Sequence, residues 1–139
     1  MDISHYIINN ISISQDKLNM YKRSSTFDIN RFYESWEGGY KIDNTLLLMS
    51  INQNANFNNI KILLDNGANP NLANTNGDVP IIKTLQILGE DNKLNAIKLL
   101  LNAGANINQK DNHGWTLLTH CVSIGYPDII DFLLKNGAD

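Results

Sequence analysis

The chain has 139 residues, 42% apolar and 18% charged, with a formal net charge of −3. This bounds it to one domain or a short array of repeats with a buried core, and it argues against a disordered tail and against nucleic-acid binding, because the 11 Lys and Arg are scattered rather than gathered in a basic stripe. No apolar run approaches membrane-spanning length, no signal peptide opens the chain, and a single cysteine suits a reducing compartment, so an intracellular, cytoplasmic protein without membrane insertion is expected.

From the N-terminus, Ile3, Tyr6, Ile7 and Ile11 fall at helical spacing and predict a first helix. Ser14 is a good N-cap for a second helix reaching Tyr21, with Leu18 and Tyr21 apolar. Arg31 to Gly39 reads as a degenerate helix ended by Gly38-Gly39, with Tyr33 and Trp36 in its core. The loop from there to Thr45 is then too short for a full finger. Residues 1–38 are expected to form an N-terminal helical cap, or a degenerate repeat, that closes the apolar end of the remaining chain.

Three similar stretches come next: Ile60-Lys61-Ile62-Leu63-Leu64-Asp65-Asn66-Gly67-Ala68-Asn69, then Ile97 to Asn106, then Ile130 to Asp139. Their glycines, Gly67, Gly104 and Gly137, recur at about 35 residues, a period typical of solenoids. In each stretch the apolar residues occupy one helical face, as Ile130, Leu133 and Leu134 do, and the glycine stands where a helix must end in the left-handed conformation. A second helix signal precedes each stretch. Thr45 caps Leu46-Leu47-Leu48; Val79 takes the capping position before Pro80; Thr116 caps Leu117 to Val122, a helix that Gly125 ends before Pro127 opens the next. The middle unit is four residues longer than the last between its cap and its glycine, and Leu88 to Lys93 is predicted to be an enlarged turn.

These residues resemble the ankyrin repeat. The last unit matches best, through Asp111, Gly114, Thr116, Leu118, Gly125, Ile130, Leu133, Leu134, Gly137 and Ala138; it departs at Leu117 and Thr119, where the family has Pro and His. The resemblance covers residues 39–139, in repeats of about 40–71, 72–108 and 109–139. It implies an all-α solenoid of helix-turn-helix units joined by β-hairpin-like loops. It also implies a noncatalytic protein–protein interaction module whose partner is gripped by finger tips and a concave helix surface. Carried over by position, the tips are Asn112, His113 and Trp115 in the last repeat and Thr75, Asn76 and Asp78 in the middle one; the groove positions are Ser123, Ile124, Gln86 and Ile87, with Asn52 and Gln53 in the first repeat. Trp115 is the expected anchor, because an exposed tryptophan is costly unless used; the alternative is that it packs flat on a neighbouring finger. The alternative at the level of the whole protein is the targeting portion of a longer multidomain enzyme or effector.

No chemistry competes with binding. Cys121 next to His120 suggests a thiol and its base, but adjacent helical residues point about 100° apart and Cys121 occupies the family's small buried position. Asp128 and Asp131 read as a solvated helix face. Metal-ligand spacing and a phosphate loop are missing, so no cofactor or metal is expected. Ile129, Phe132 and Leu133 carry an apolar face to the C-terminal end, where further repeats or self-association are expected. Finally, 22 residues are Asn and 18 are Ile. Asn in the loops after the glycines suits turn chemistry; Asn52, Asn54, Asn56, Asn58 and Asn59 look like compositional drift on an exposed face. Such a bias fits an A/T-rich genome and suggests a viral or intracellular-bacterial protein that engages host factors.

Overall fold

The computed structural model describes residues 2–37 and 39–139. Asp2 accepts a hydrogen bond from the Ser4 amide and starts α1 (Ile3–Ile8); Ser14 accepts from the Lys17 amide and starts α2 (Gln15–Lys22). Both helices bury their apolar stripe, with Ile3, Ile7 and Leu18 at most 1% exposed. The helix expected over 31–39 is instead a hairpin. Strand β1 (Tyr33–Glu37) runs antiparallel to β2 (Tyr40–Asn44), with Tyr33 opposite Asn44 and Glu37 opposite Tyr40. Aromatic residues favour a pleated strand as much as a helix face, and Gly39, at φ +84°, supplies the left-handed residue of a tight turn. The first finger is therefore full-length and starts before Gly38. Tyr33 is half-buried, whereas Gly38 and the Trp36 side chain lie outside the described residues.

Three helix pairs come after the hairpin. Thr45 caps α3 (Leu46–Ser50) through the Leu48 amide, and Asn56 caps α4 (Phe57–Asp65) through the Asn59 amide. Val79 offers no side-chain cap to α5 (Pro80–Lys83), which tightens into a 3-10 turn at Thr84–Gln86 before α6 (Glu90–Asn102). Thr116 caps α7 (Leu117–Ile124) through the Thr119 amide, Gly125 ends it at φ +95°, and Pro127 opens α8 (Pro127–Lys135). First helices stack on first helices, α1 on α3 and α3 on α5, while α4 packs on α6. One continuous cluster runs from Ile3 to Leu133 through the stack.

The enlarged turn expected at Leu88 to Lys93 does not form. Gly89 is the N-cap of α6, which has 13 residues where α4 and α8 have 9 each, so the four extra residues add one helical turn. Glu90 and Asp91 in its first turn favour that start, since carboxylates complement the positive end of a helix.

Two asparagine systems hold the array. The first repeats with the fold. Asn30 donates to the Gly67 carbonyl (3.1 Å) and accepts from the Asn69 amide (2.6 Å). Asn71 bridges Gly104 and Asn106 at 3.2 and 2.7 Å, and Asn108 bridges Gly137 and Asp139 at 3.3 and 3.0 Å. Each rung joins one unit to the next. Because Asn30 makes the first rung, the N-terminal helix pair meets the array as a repeat does.

The second system corrects the reading of Asn56, Asn58 and Asn59 as drift. Asn59 is 1% exposed; it accepts from the Ile13 amide (2.8 Å) and donates to the Ile11 carbonyl (3.0 Å). Asn58 donates to the Ile13 carbonyl and Asn56 to the Ser12 hydroxyl, while Asn10 donates to the Asn54 carbonyl. The extended link between α1 and α2 has no strand partner for its backbone, and Asn58 and Asn59 satisfy its Ile11 and Ile13 groups.

At the other end, Ile129 and Leu133 are fully buried against the preceding repeat rather than presented outward, and Phe132 is half-buried. The uncovered apolar residues there are Val122 and Leu134.

Candidate functional site

The three fingers are locked side by side. The Asp43 amide donates to the Thr75 hydroxyl (3.0 Å), and the Thr75 amide donates to the Asp43 carbonyl (3.2 Å). Asn112 donates to the Asn76 carbonyl at 2.7 Å. Its carboxamide lies over Gly77, whose missing Cβ would stand 2.0 Å away. Thus Thr75 and Asn112, expected at the tips as contact residues, spend their side chains fixing one finger to the next. Asp78 is also engaged: it accepts from Asn74 (2.9 Å) and lies 3.6 Å from the buried Lys83 ammonium. The Asn76 side chain stays exposed.

The last finger is organised by Asp111. One carboxylate oxygen accepts from the His113 and Trp115 amides (2.9 and 3.0 Å), which shapes the loop; the other meets His120 Nε2 at 2.8 Å. Burial raises the Asp111 pKa, but the His120 hydrogen bond and the two amides outweigh it and hold the carboxyl below its ordinary value. Trp115 rests against the same imidazole, ring centroids 5.1 Å apart at 53°, and remains 41% exposed. It therefore packs on His120 of its own repeat. His120, which the sequence marks only as a neighbour of Cys121, joins finger and groove. Its place one turn after the Thr116 cap puts it on the finger side of α7, and that spacing is the signal that could have found it.

In the groove, Gln86, Ser123 and Ile124 are exposed, Ile124 at 56%. Ile87 is not a groove residue. It is 2% exposed, because the chain leaves the 3-10 turn in an extended conformation that turns its side chain into the core. Leu88 takes the outward place instead at 59% exposure, and its amide donates to the Gln53 carbonyl (3.0 Å) of the preceding repeat.

Cys121 is fully buried, and burial pushes its thiol up to about 11. Thiolate is then scarce at neutral pH. Labelling by an aromatic disulfide reagent in native buffer is expected to follow unfolding of the chain; reaction as fast as that of a free thiol would contradict this environment. Among the described residues no group of three or more His, Cys, Asp and Glu is placed to hold a metal ion, and no helix is long and apolar enough to cross a membrane.

Comparison with known proteins agrees with this geometry. Among the solved structures that share the fold are two ankyrin repeat domains. The ankyrin repeat domain of Bcl-3, of the IkappaB protein family, has a TM-score of 0.75 at 22% identity over 98% of this chain and 55% of that one. An ankyrin repeat domain from Acinetobacter baumannii AYE has a TM-score of 0.73 at 24% identity over 98% of this chain and 64% of that one. The chain thus spans less than two thirds of either domain. No curated protein matches the sequence. The family model described as ankyrin repeats in three copies matches residues 44–139, more than half of the sequence, and with three helix pairs ending at Gly67, Gly104 and Gly137 the chain belongs to the ankyrin repeat family.

Proposed function

We propose that this chain is a noncatalytic interaction module that binds a protein partner through its last two fingers and the adjoining groove. The observation that carries this reading is the Trp115–His120–Asp111 cluster: a large aromatic surface held in one orientation on a finger that is itself clamped to its neighbour. Fixing such a surface in advance lowers the ordering entropy lost on binding. Trp115 is the anchor, with His113, Asn76, Ser123, Ile124 and Gln86 around it; Thr75, Asn112 and Asp78 act by holding the row. Leu88 extends the apolar part of the groove.

An affinity pull-down with the full chain tests this placement. Trp115→Ala is expected to weaken partner capture by roughly tenfold to a hundredfold, as aromatic anchors do, and His120→Ala to weaken it less by freeing the indole. Unchanged capture in both, with the melting temperature preserved, would put the site elsewhere. The asparagine and isoleucine bias supports a pathogen protein acting on host factors in host cytoplasm; a source genome without A/T bias would remove that part.

A further inference from the structure

An asparagine followed by glycine is open to attack of the glycine nitrogen on its carboxamide, because glycine has no Cβ to obstruct the approach. The chain has three such pairs: Asn66-Gly67, Asn76-Gly77 and Asn136-Gly137. The fold treats them differently. Asn66 and Asn136 end α4 and α8, and each turns its carboxamide back on its own helix. Asn66 Nδ2 donates to the Ile62 carbonyl (2.7 Å) and Asn136 Nδ2 to the Phe132 carbonyl (2.7 Å). Gln15 grips Asn66 further, at 2.9 and 3.0 Å. The glycines after them are held as well, by the Asn30 rung on the Gly67 carbonyl and the Asn108 rung on the Gly137 carbonyl. Asn76 is held by its backbone instead: its amide donates to Asn74 Oδ1 (3.0 Å) and its carbonyl accepts from Asn112 Nδ2 (2.7 Å). Its side chain is exposed at the tip of the second finger, and among the described residues the carboxamide has no hydrogen-bond partner.

The Asn112 contact favours the reaction. When the Asn76–Gly77 peptide gives up its N–H proton, charge moves onto the Asn76 carbonyl oxygen, and a donor already 2.7 Å away stabilises it. The Gly77 amide donates to the Asn74 carbonyl (3.0 Å), so a single turn bond has to open first. We propose that Asn76 is a deamidation site of the folded chain, with solvent water as the co-reactant. The Gly77 nitrogen bonds to Asn76 Cγ, the Cγ–Nδ2 bond breaks, and ammonia leaves with the Gly77 proton. Water then opens the succinimide ring and leaves aspartate or isoaspartate at position 76. Either product adds a negative charge to the second finger. In the isoaspartate the chain continues through the former side chain, so the carbonyl that Asn112 holds becomes a free carboxylate and the backbone gains a methylene. Gly77 is then carried out from under the Asn112 carboxamide, and the joint between the second and third fingers shifts. Any effect on partner capture rests on the contact surface proposed above; the chemistry at Asn76 does not.

Peptide mass mapping of the full chain, aged in mildly alkaline buffer and digested at mildly acidic pH, tests the proposal. In the folded chain Asn76 is expected to convert roughly tenfold faster than Asn66 or Asn136, whose carboxamide bonds and helix ends must open first. In urea the three should convert at similar rates, each now governed by the glycine that follows it. Labelling by an isoaspartyl methyltransferase with S-adenosylmethionine should appear on the second finger. It should be lost in Asn76→Gln, a change that an exposed side chain accepts without loss of the fold. Conversion of Asn66 or Asn136 in the folded chain as fast as that of Asn76 would overturn the proposal. So would an Asn76 amide that persists in the folded chain while the chain in urea loses it. Methyl label undiminished in Asn76→Gln would overturn it equally.

Discussion

Asn59→Ala is expected to lower the unfolding free energy by about 2–4 kcal/mol, because the buried Ile13 amide, which costs about 1–3 kcal/mol when unpaired, and the part-buried Ile11 carbonyl both lose their partner. The Ile13 amide and the Ile11 carbonyl both depend on this carboxamide, and Asn59 is 1% exposed, so little water can replace it. Asn58→Ala removes a single bond from an exposed side chain to the Ile13 carbonyl and should cost only about 0.5–1.5 kcal/mol. Urea denaturation of the two variants gives the comparison, and hydrogen exchange at Ile13 locates it. An Asn59→Ala cost no larger than that of Asn58→Ala would show that the link between α1 and α2 is held by packing alone.

The second large effect concerns equivalent positions in successive repeats. Ile97→Ala should cost about 2–5 kcal/mol, the usual range for emptying a closed site in a core, since Ile97 is fully buried between two helix pairs. Ile130 holds the same place in the last repeat, but one side of it faces outward. Measured at low protein concentration, Ile130→Ala should cost well under half as much, because solvent refills the space at little penalty. Equal costs for the two variants would contradict the difference in cover.

The helix pairs of the array are legible because their punctuation is chemical. Thr45, Thr116 and Ser14 supply cap oxygens, Gly125 and Gly137 the left-handed ends, and Pro80 and Pro127 the first turns. The first finger is illegible because Phe32, Tyr33 and Trp36 fall three and four apart, an arrangement that serves a helix face or a short strand equally well; only pairing with Tyr40–Asn44 decides between them. The extra turn of α6 is hidden for a related reason. Polar Glu90-Asp91-Asn92-Lys93 looks like loop by composition, yet a carboxylate pair after a glycine is also how a helix begins. Asn59 hides in a run of exposed-looking asparagines, since burial of a carboxamide is set by a segment 46 residues away. Trp115 and the finger positions can be placed by register, but not the carboxylate–imidazole pair beneath the indole, which joins a loop to a helix nine residues on.

The rungs made by Asn30, Asn71 and Asn108 are neutral amides on backbone groups, the last with a longer bond to the Asp139 carboxylate at 3.4 Å. Salt does not screen such bonds, and no proton enters or leaves them across the physiological range. The spacing between units is thus set independently of the ionic medium, whereas Lys41–Glu34 and Lys135–Asp131 at the surface respond to it. A protein built this way holds its units as a ruler of constant length, whatever electrolyte surrounds it, and leaves adjustment to its exposed charges.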